Sequence, residues 1–214
     1  MMRKTWLAPA VIGAMLGFGW AIYDRLPAAV PSHWNIYGEV DRTSSRLVAV
    51  LLPPLIAFGV WIVLLVAPRI DPRRASYAAF GDTFRLFTNA IVLFFAAIYV
   101  TTLLYSIGYG IETMRVILIG MGLLFTVLGN ELGRVRSNWF VGIRTPWTLA
   151  DPTVWCQTHR VGGRVFVLIG LSTLIASIVL PATIASMLSF VFVIGGSLAI
   201  VAYSYLLWRW RAAA

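Results

Sequence analysis

Charge is scarce in this chain, and so is the chemistry that depends on it. Only 12% of the 214 residues are Asp, Glu, Lys or Arg, against 60% apolar, and the mean hydropathy is +0.85. A soluble globule of this size needs far more polar surface, so the composition specifies an integral membrane protein. Cysteine is nearly absent: Cys156 stands alone, which excludes an intramolecular disulfide and leaves the redox compartment unread. Histidine occurs only at positions 33 and 159. The middle of every long apolar run lacks Asp, Glu, Lys, Arg and His, which argues against a proton- or ion-coupled pump, because such machines carry an ionisable group at membrane depth.

What is abundant is apolar length. Runs matching the roughly 20 residues needed to cross a bilayer lie near 5–23, 47–67, 87–107, 111–130, 165–183 and 187–208. The expected fold class is therefore all-α, a polytopic membrane bundle of six transmembrane helices. The fourth run is the weakest, with Glu112 and Arg115 in its first turn; an Arg that close to the end can snorkel. Arg3 and Lys4 before the first run resemble the start of a signal peptide, but no small-x-small site closes that run before Tyr23-Asp24-Arg25, so it is read as a retained span.

Outside the runs, thirteen basic residues fall at the two termini and in loops 68–86 and 131–164, against four on the other side. Basic residues in short loops stay inside, so both termini and these two loops are expected in the cytoplasm of a bacterial cell, the protein passing several times through its inner (plasma) membrane. The net charge of +9 then meets anionic headgroups, and direct nucleic-acid binding is not needed to explain it. Trp6, Trp20, Trp61, Trp208 and Trp210 fall near the interfaces as anchors. Gly13-x-x-x-Gly17 and Gly195-Gly196 suggest close helix packing, Pro53-Pro54 should kink or break the second span, and the chain divides into halves 1–110 and 111–214.

No catalytic constellation emerges. His33 and His159 lie on opposite sides and cannot share a metal; Cys156-x-x-His159 offers two ligands where zinc takes three or four, and as a nucleophile pair it lacks an orienting third group. The expectation is no enzyme, no metal and no cofactor. Two polar stretches remain. The outer loop 24–46 contains "PSHWNIYG", whose prolines and Gly38 preclude a long helix, while His33, Trp34 and Asn35 offer ring faces and hydrogen-bonding edges, either to a ligand or to headgroups. The inner loop 131–164 contains "NWFVGIRTPWTL". Gly129-Asn130 reads as the preceding helix end, Thr145 is held extended before Pro146, and Asp151-Pro152 reads as the start of a helix carrying Trp155, Thr158, His159 and Gly162. Trp139, Phe140, Trp147 and Trp155 should turn toward lipid or bundle, with Arg136, Arg144, Arg160 and Arg164 at headgroup level.

The inner pattern, from Gly129 and Asn130 through Asn138, Phe140, Gly142 to Leu149, Val154, Trp155, Thr158 to Arg160 and Gly162-Gly163, resembles the signature of the SdpI family. The outer pattern, Pro27, Val30, Pro31, His33 to Asn35, Gly38 and Asp41, resembles a small domain of unknown function often found before it, and Pro68, Asp71 and Pro72 resemble that family's second loop. The resemblance implies a six-span immunity protein that binds a membrane-active peptide or amphipathic ligand, with membrane lipids, a secreted peptide toxin and a cytoplasmic repressor as partners; no oligomeric state follows from it. The residues expected to bind are His33, Trp34, Asn35, Asn130, Asn138, Arg144, Thr145, Trp147, Trp155, His159 and Arg160. The alternative reading is a transporter or lipid-handling protein whose Asn130, Asn138 and Arg144 line one polar cavity.

Overall fold

The computed structural model describes residues 6–212. Arg3 and Lys4 lie outside the described residues. Among the described residues, five helices are long and apolar enough to cross a membrane: α2 Arg46–Ile70, α3 Gly81–Ser106, α4 Thr113–Leu132, α6 Pro152–Val179 and α7 Ala182–Ala212. A shorter apolar helix, α1, covers Leu7–Ala21, and a one-turn helix, α5, covers Pro146–Ala150. At 1.5 Å per residue the fifteen residues of α1 extend about 22 Å, short of the roughly 30 Å hydrocarbon core. The architecture is a polytopic membrane bundle.

It is not purely helical. The outer stretch folds as an antiparallel hairpin, β1 Ala29–Trp34 with β2 Val40–Ser45. Pro31 holds its own φ in the extended range, and Val30, Val40 and Thr43 favour a pleated surface. The Asn35 side chain accepts the N–H groups of Tyr37 and Glu39 at 2.9 and 3.1 Å, and Gly38 takes the left-handed φ of 83° that the turn needs. Local turn chemistry thus overrides the all-α expectation. Val30 plugs the hairpin into a core with Leu26, Val50, Tyr99 and Leu103.

Several boundaries move. Helix α2 runs through Pro53 and Pro54 unbroken. Helix α4 passes Gly129-Asn130 and ends at Leu132, with Gly133 at a right-handed φ of −64° rather than in a left-handed turn. Arg115 snorkels at the other end of α4, bonding Glu112 and the Ser177 carbonyl. Helix α6 begins at Pro152, so the connection from α4 spans only 133–151 and includes α5.

The glycines of α4 and α6 have another use. A Cβ on Gly163 would stand 2.6 Å from the Gly129 carbonyl, and one on Gly170 2.6 Å from that of Gly122. Two pairs, each seven residues apart on its own helix, therefore zip these antiparallel helices backbone to backbone. Gly13, Gly17 and Gly195, expected to pack, have nothing within 4 Å, whereas Gly19 meets Tyr99 and Val50, and Gly196 meets Ile169 and Val165.

Hydrogen bonds sort the connections into two ends. Asp71 binds Trp139, Arg73 binds Leu149 and Arg211 binds Asp151 at one end; at the other, Thr183 and Ser186 of α7 hold the Tyr37 and Ile36 carbonyls of the hairpin.

Candidate functional site

The arginine-rich end is tied together by Asn138 and Asp71. Asn138 is fully buried. Its Nδ2 donates to the Arg136 and Val141 carbonyls at 2.9 and 2.8 Å, and its Oδ1 accepts the N–H groups of Phe140 and Val141 at 2.9 and 2.7 Å. An amide that satisfies both its donors and its acceptor within its own loop is a scaffold, because a buried amide left unmatched would cost on the order of 1–3 kcal/mol. Asp71, at the end of α2 and equally hidden, accepts the N–H of Trp139 and the hydroxyl of Tyr77, each at 2.9 Å, and Tyr77 also reaches Asn138 at 3.3 Å. Burial first, and the Asp71 carboxylate second, push the Tyr77 phenol well above the ordinary tyrosine range. Arg73 donates to Ser137 and to the Leu149 carbonyl and lies 5.9 Å from the Trp139 ring.

The second half of the stretch locks onto α6 and α7. His159 stacks on Trp155 with ring centroids 4.0 Å apart. Its Nδ1 donates to the Trp155 carbonyl at 2.8 Å, since a carbonyl only accepts, which leaves Nε2 to accept the Ile143 N–H at 3.0 Å. Both ring nitrogens are thereby occupied. Trp155, almost fully hidden, donates its indole N–H to the Val135 carbonyl at 2.8 Å. Thr145 and Thr148 form a capping box on α5, and the Trp147 indole donates to Ser204 of α7. At the start of α6, burial works against ionisation of Asp151, but the N–H groups of Thr153 and Val154, together with Arg211, hold its carboxyl below the usual range.

The expected site residues therefore separate into four groups. Asn138, Thr145, Trp155 and His159 are buried and bonded within the fold, with Trp147 half-buried against Ser204. Arg144 is exposed, donating to the Trp139 carbonyl at 2.5 Å. Asn130 and Arg160 face a groove on the α4–α6 seam. His33, Trp34 and Asn35 sit in the distant hairpin, where His33 pairs with Asp41 at 2.6 Å and Asn35 builds the turn. Asn130 thus faces the seam, Asn138 is buried inside its own loop and Arg144 is exposed, three separate places. Asp71 and Pro72 already stood out in the sequence, but Arg73, Tyr77 and Ser204 carried no signal, because partners 57 to 76 residues away leave no local pattern.

Five long apolar helices closing over a polar latch at one end define a multi-pass membrane protein. Residues 134–205 match the model of the SdpI/YfhL protein family, and residues 10–58 match that of a domain of unknown function (DUF1648). It is 27% identical over 151 residues to the immunity protein SdpI of Bacillus subtilis (strain 168), a match covering 70% of this chain and 69% of that protein. No solved structure matches the chain.

Proposed function

We propose that this chain is a six-span inner-membrane immunity or receptor protein that binds a membrane-active peptide or another amphipathic ligand and signals to a cytoplasmic partner, a repressor in the reading the resemblance implies. The observation that carries the proposal is the match to an immunity protein over 151 residues, which extends well beyond the 72-residue family region at 134–205. Helix α1, too short alone, supplies the sixth crossing together with the 3-10 turn Tyr23–Arg25 that continues it and with local thinning of the bilayer. It packs beside α2 and α3 through Ala8, Ile12 and Met15 and leads directly into the hairpin. The hairpin end faces outward and the arginine-rich end faces the cytoplasm, in keeping with the distribution of basic residues.

In this reading the outer loop 24–46 and the inner stretch divide the work, and each of the halves 1–110 and 111–214 contributes to the cytoplasmic end. His33 and Trp34 on the hairpin meet a secreted ligand, and the latch at 133–151 together with the 71–80 turn meets the cytoplasm. The hairpin rests on the first turn of α7 through Thr183 and Ser186, and the other end of the same helix holds Trp147 through Ser204. One rigid helix therefore touches both, and its displacement supplies a route between them. The separate locations of Asn130, Asn138 and Arg144 support binding over transport.

The test is protection. A peptide-sensitive bacterium expressing this chain should tolerate severalfold more of a secreted killing peptide than one carrying an empty vector. His33→Ala with Trp34→Ala should abolish the gain at unchanged membrane level. Failure to protect against the peptide to which the Bacillus subtilis relative confers immunity, and against peptides secreted by the chain's own host, overturns the proposal.

A further inference from the structure

We infer that the arginine-rich end holds one anionic phospholipid of the inner leaflet, its phosphate among Arg136, Arg160 and Arg164 and an acyl chain along the α4–α6 glycine seam. Two clefts meet there. One, of about 720 Å³, lies between the start of α3 and the loop after α4 and is lined by Arg85, Arg134, Arg136 and Arg160. The other, of about 470 Å³, runs down the seam past Gly129, Gly163, Val167 and Leu168. Gly133 and Arg160 line both, so the polar cleft opens directly into the apolar groove.

The charge balance selects the occupant. Arg85 and Arg134 are neutralised by Asp82 and Glu131 at 2.7 and 2.9 Å. Among the described residues, Arg136, Arg160 and Arg164 have no carboxylate partner. Arg160 and Arg164 are one helical turn apart and share a face of α6, and a guanidinium donates in a fork that suits a phosphate. A cationic amphipathic peptide would be repelled from three unpaired arginines. An acyl chain suits the rest of the site: beside the Gly129–Gly163 contact the groove is walled by Val167 and Leu168, and Leu168 is 63% exposed. Basic pockets between helices on the cytoplasmic side are where anionic headgroups are held. The inference does not depend on which ligand the hairpin captures.

The experiment counts lipids retained by the full chain after release from nanodiscs of equal parts phosphatidylcholine and phosphatidylglycerol, using native mass spectrometry. Wild type should keep phosphatidylglycerol over phosphatidylcholine. Arg136→Gln with Arg160→Gln and Arg164→Gln should reduce that preference by about fivefold per arginine. Arg69→Gln with Arg74→Gln and Arg209→Gln removes the same charge elsewhere on that end and should leave the preference intact. Gly133→Leu blocks the junction without touching a charge: a Cβ there meets nothing nearer than Arg160 at 3.6 Å, so it should lose lipid while unfolding at the wild-type temperature. Excess inorganic phosphate should not displace the lipid. Equal retention of the two lipids by wild type, equal loss in the control triple, displacement by phosphate, or full retention by a folded Gly133→Leu each overturns the inference. If the cleft triple does not fold, the wild-type preference and Gly133→Leu still decide.

Discussion

A β-carbon on Gly142 would collide with Nε2 of His159, the atom that accepts the N–H of the next residue, Ile143. Gly142 also has a φ of 118°, a conformation that side chains resist. The glycine thus lets the chain turn over the face of α6 and deliver one amide to one imidazole. Gly142→Ala should destabilise the solubilised protein by about 1–3 kcal/mol through strain and overlap. His159→Ala should cost a similar ~1–3 kcal/mol by orphaning the Ile143 N–H. The double variant should cost less than the sum, since removing the ring removes the collision. Strict additivity in chaotrope unfolding would mean that the contact is incidental.

The seam offers a comparison within one helix pair. Gly163→Ala places a methyl 2.6 Å from the Gly129 carbonyl, whereas Gly133→Ala meets only Arg160 at 3.6 Å. The first should lower the thermal midpoint by the equivalent of about 1–3 kcal/mol, and the second should leave it within experimental scatter. Equal effects would show that α4 and α6 do not cross where their glycines meet.

Tyr77 should make the latch sensitive to alkali. Its folded pKa is raised above the ordinary 10.0 by burial and by Asp71, so the protonated phenol is favoured in the folded state. That contribution is fully present below pH 10 and is lost as the pH rises through the higher folded value. Unfolding followed from about pH 8 to about pH 11 should show an alkaline decline that Tyr77→Phe reduces. An unchanged decline in the variant would assign it to other groups.

Sidedness has a direct readout. A reporter active only outside the cytoplasm should be active when fused after Ser44 and silent when fused after Asp151. The reverse pattern would invert the assignment of both ends and move the lipid site to the outer leaflet.

Arg144 is the one inner residue of the quoted stretch that is both charged and exposed. Arg144→Lys keeps the charge but loses the fork of donors. If Arg144 grips a ligand or partner, protection should fall while the unfolding temperature holds; unchanged protection would reduce its role to the bond with the Trp139 carbonyl. Asn138→Ala is unsuitable for this purpose, because it removes four local hydrogen bonds and should unfold the loop.

Membrane residence, the approximate helix positions and the separation into a basic and a less basic end were legible in the sequence, because hydrophobic length and charge are local quantities that a bilayer reads segment by segment. The helix start at Asp151-Pro152 was legible for the same reason: a cap is made by residues three apart. The hairpin was less so. Its prolines excluded a helix, but strand pairing joins Ala29 to Ser45, and register is not written in either strand alone. Gly129-Asn130 suggested a helix end from its residue types, yet the Gly163 backbone packs against Gly129 and the helix continues. Only the tertiary structure decided that Asn138 and His159 are buried with their polar atoms bonded inside the fold, since satisfaction of a polar atom depends on partners that folding brings in, and that Arg136, Arg160 and Arg164 end up along two adjoining clefts with no carboxylate partner among the described residues.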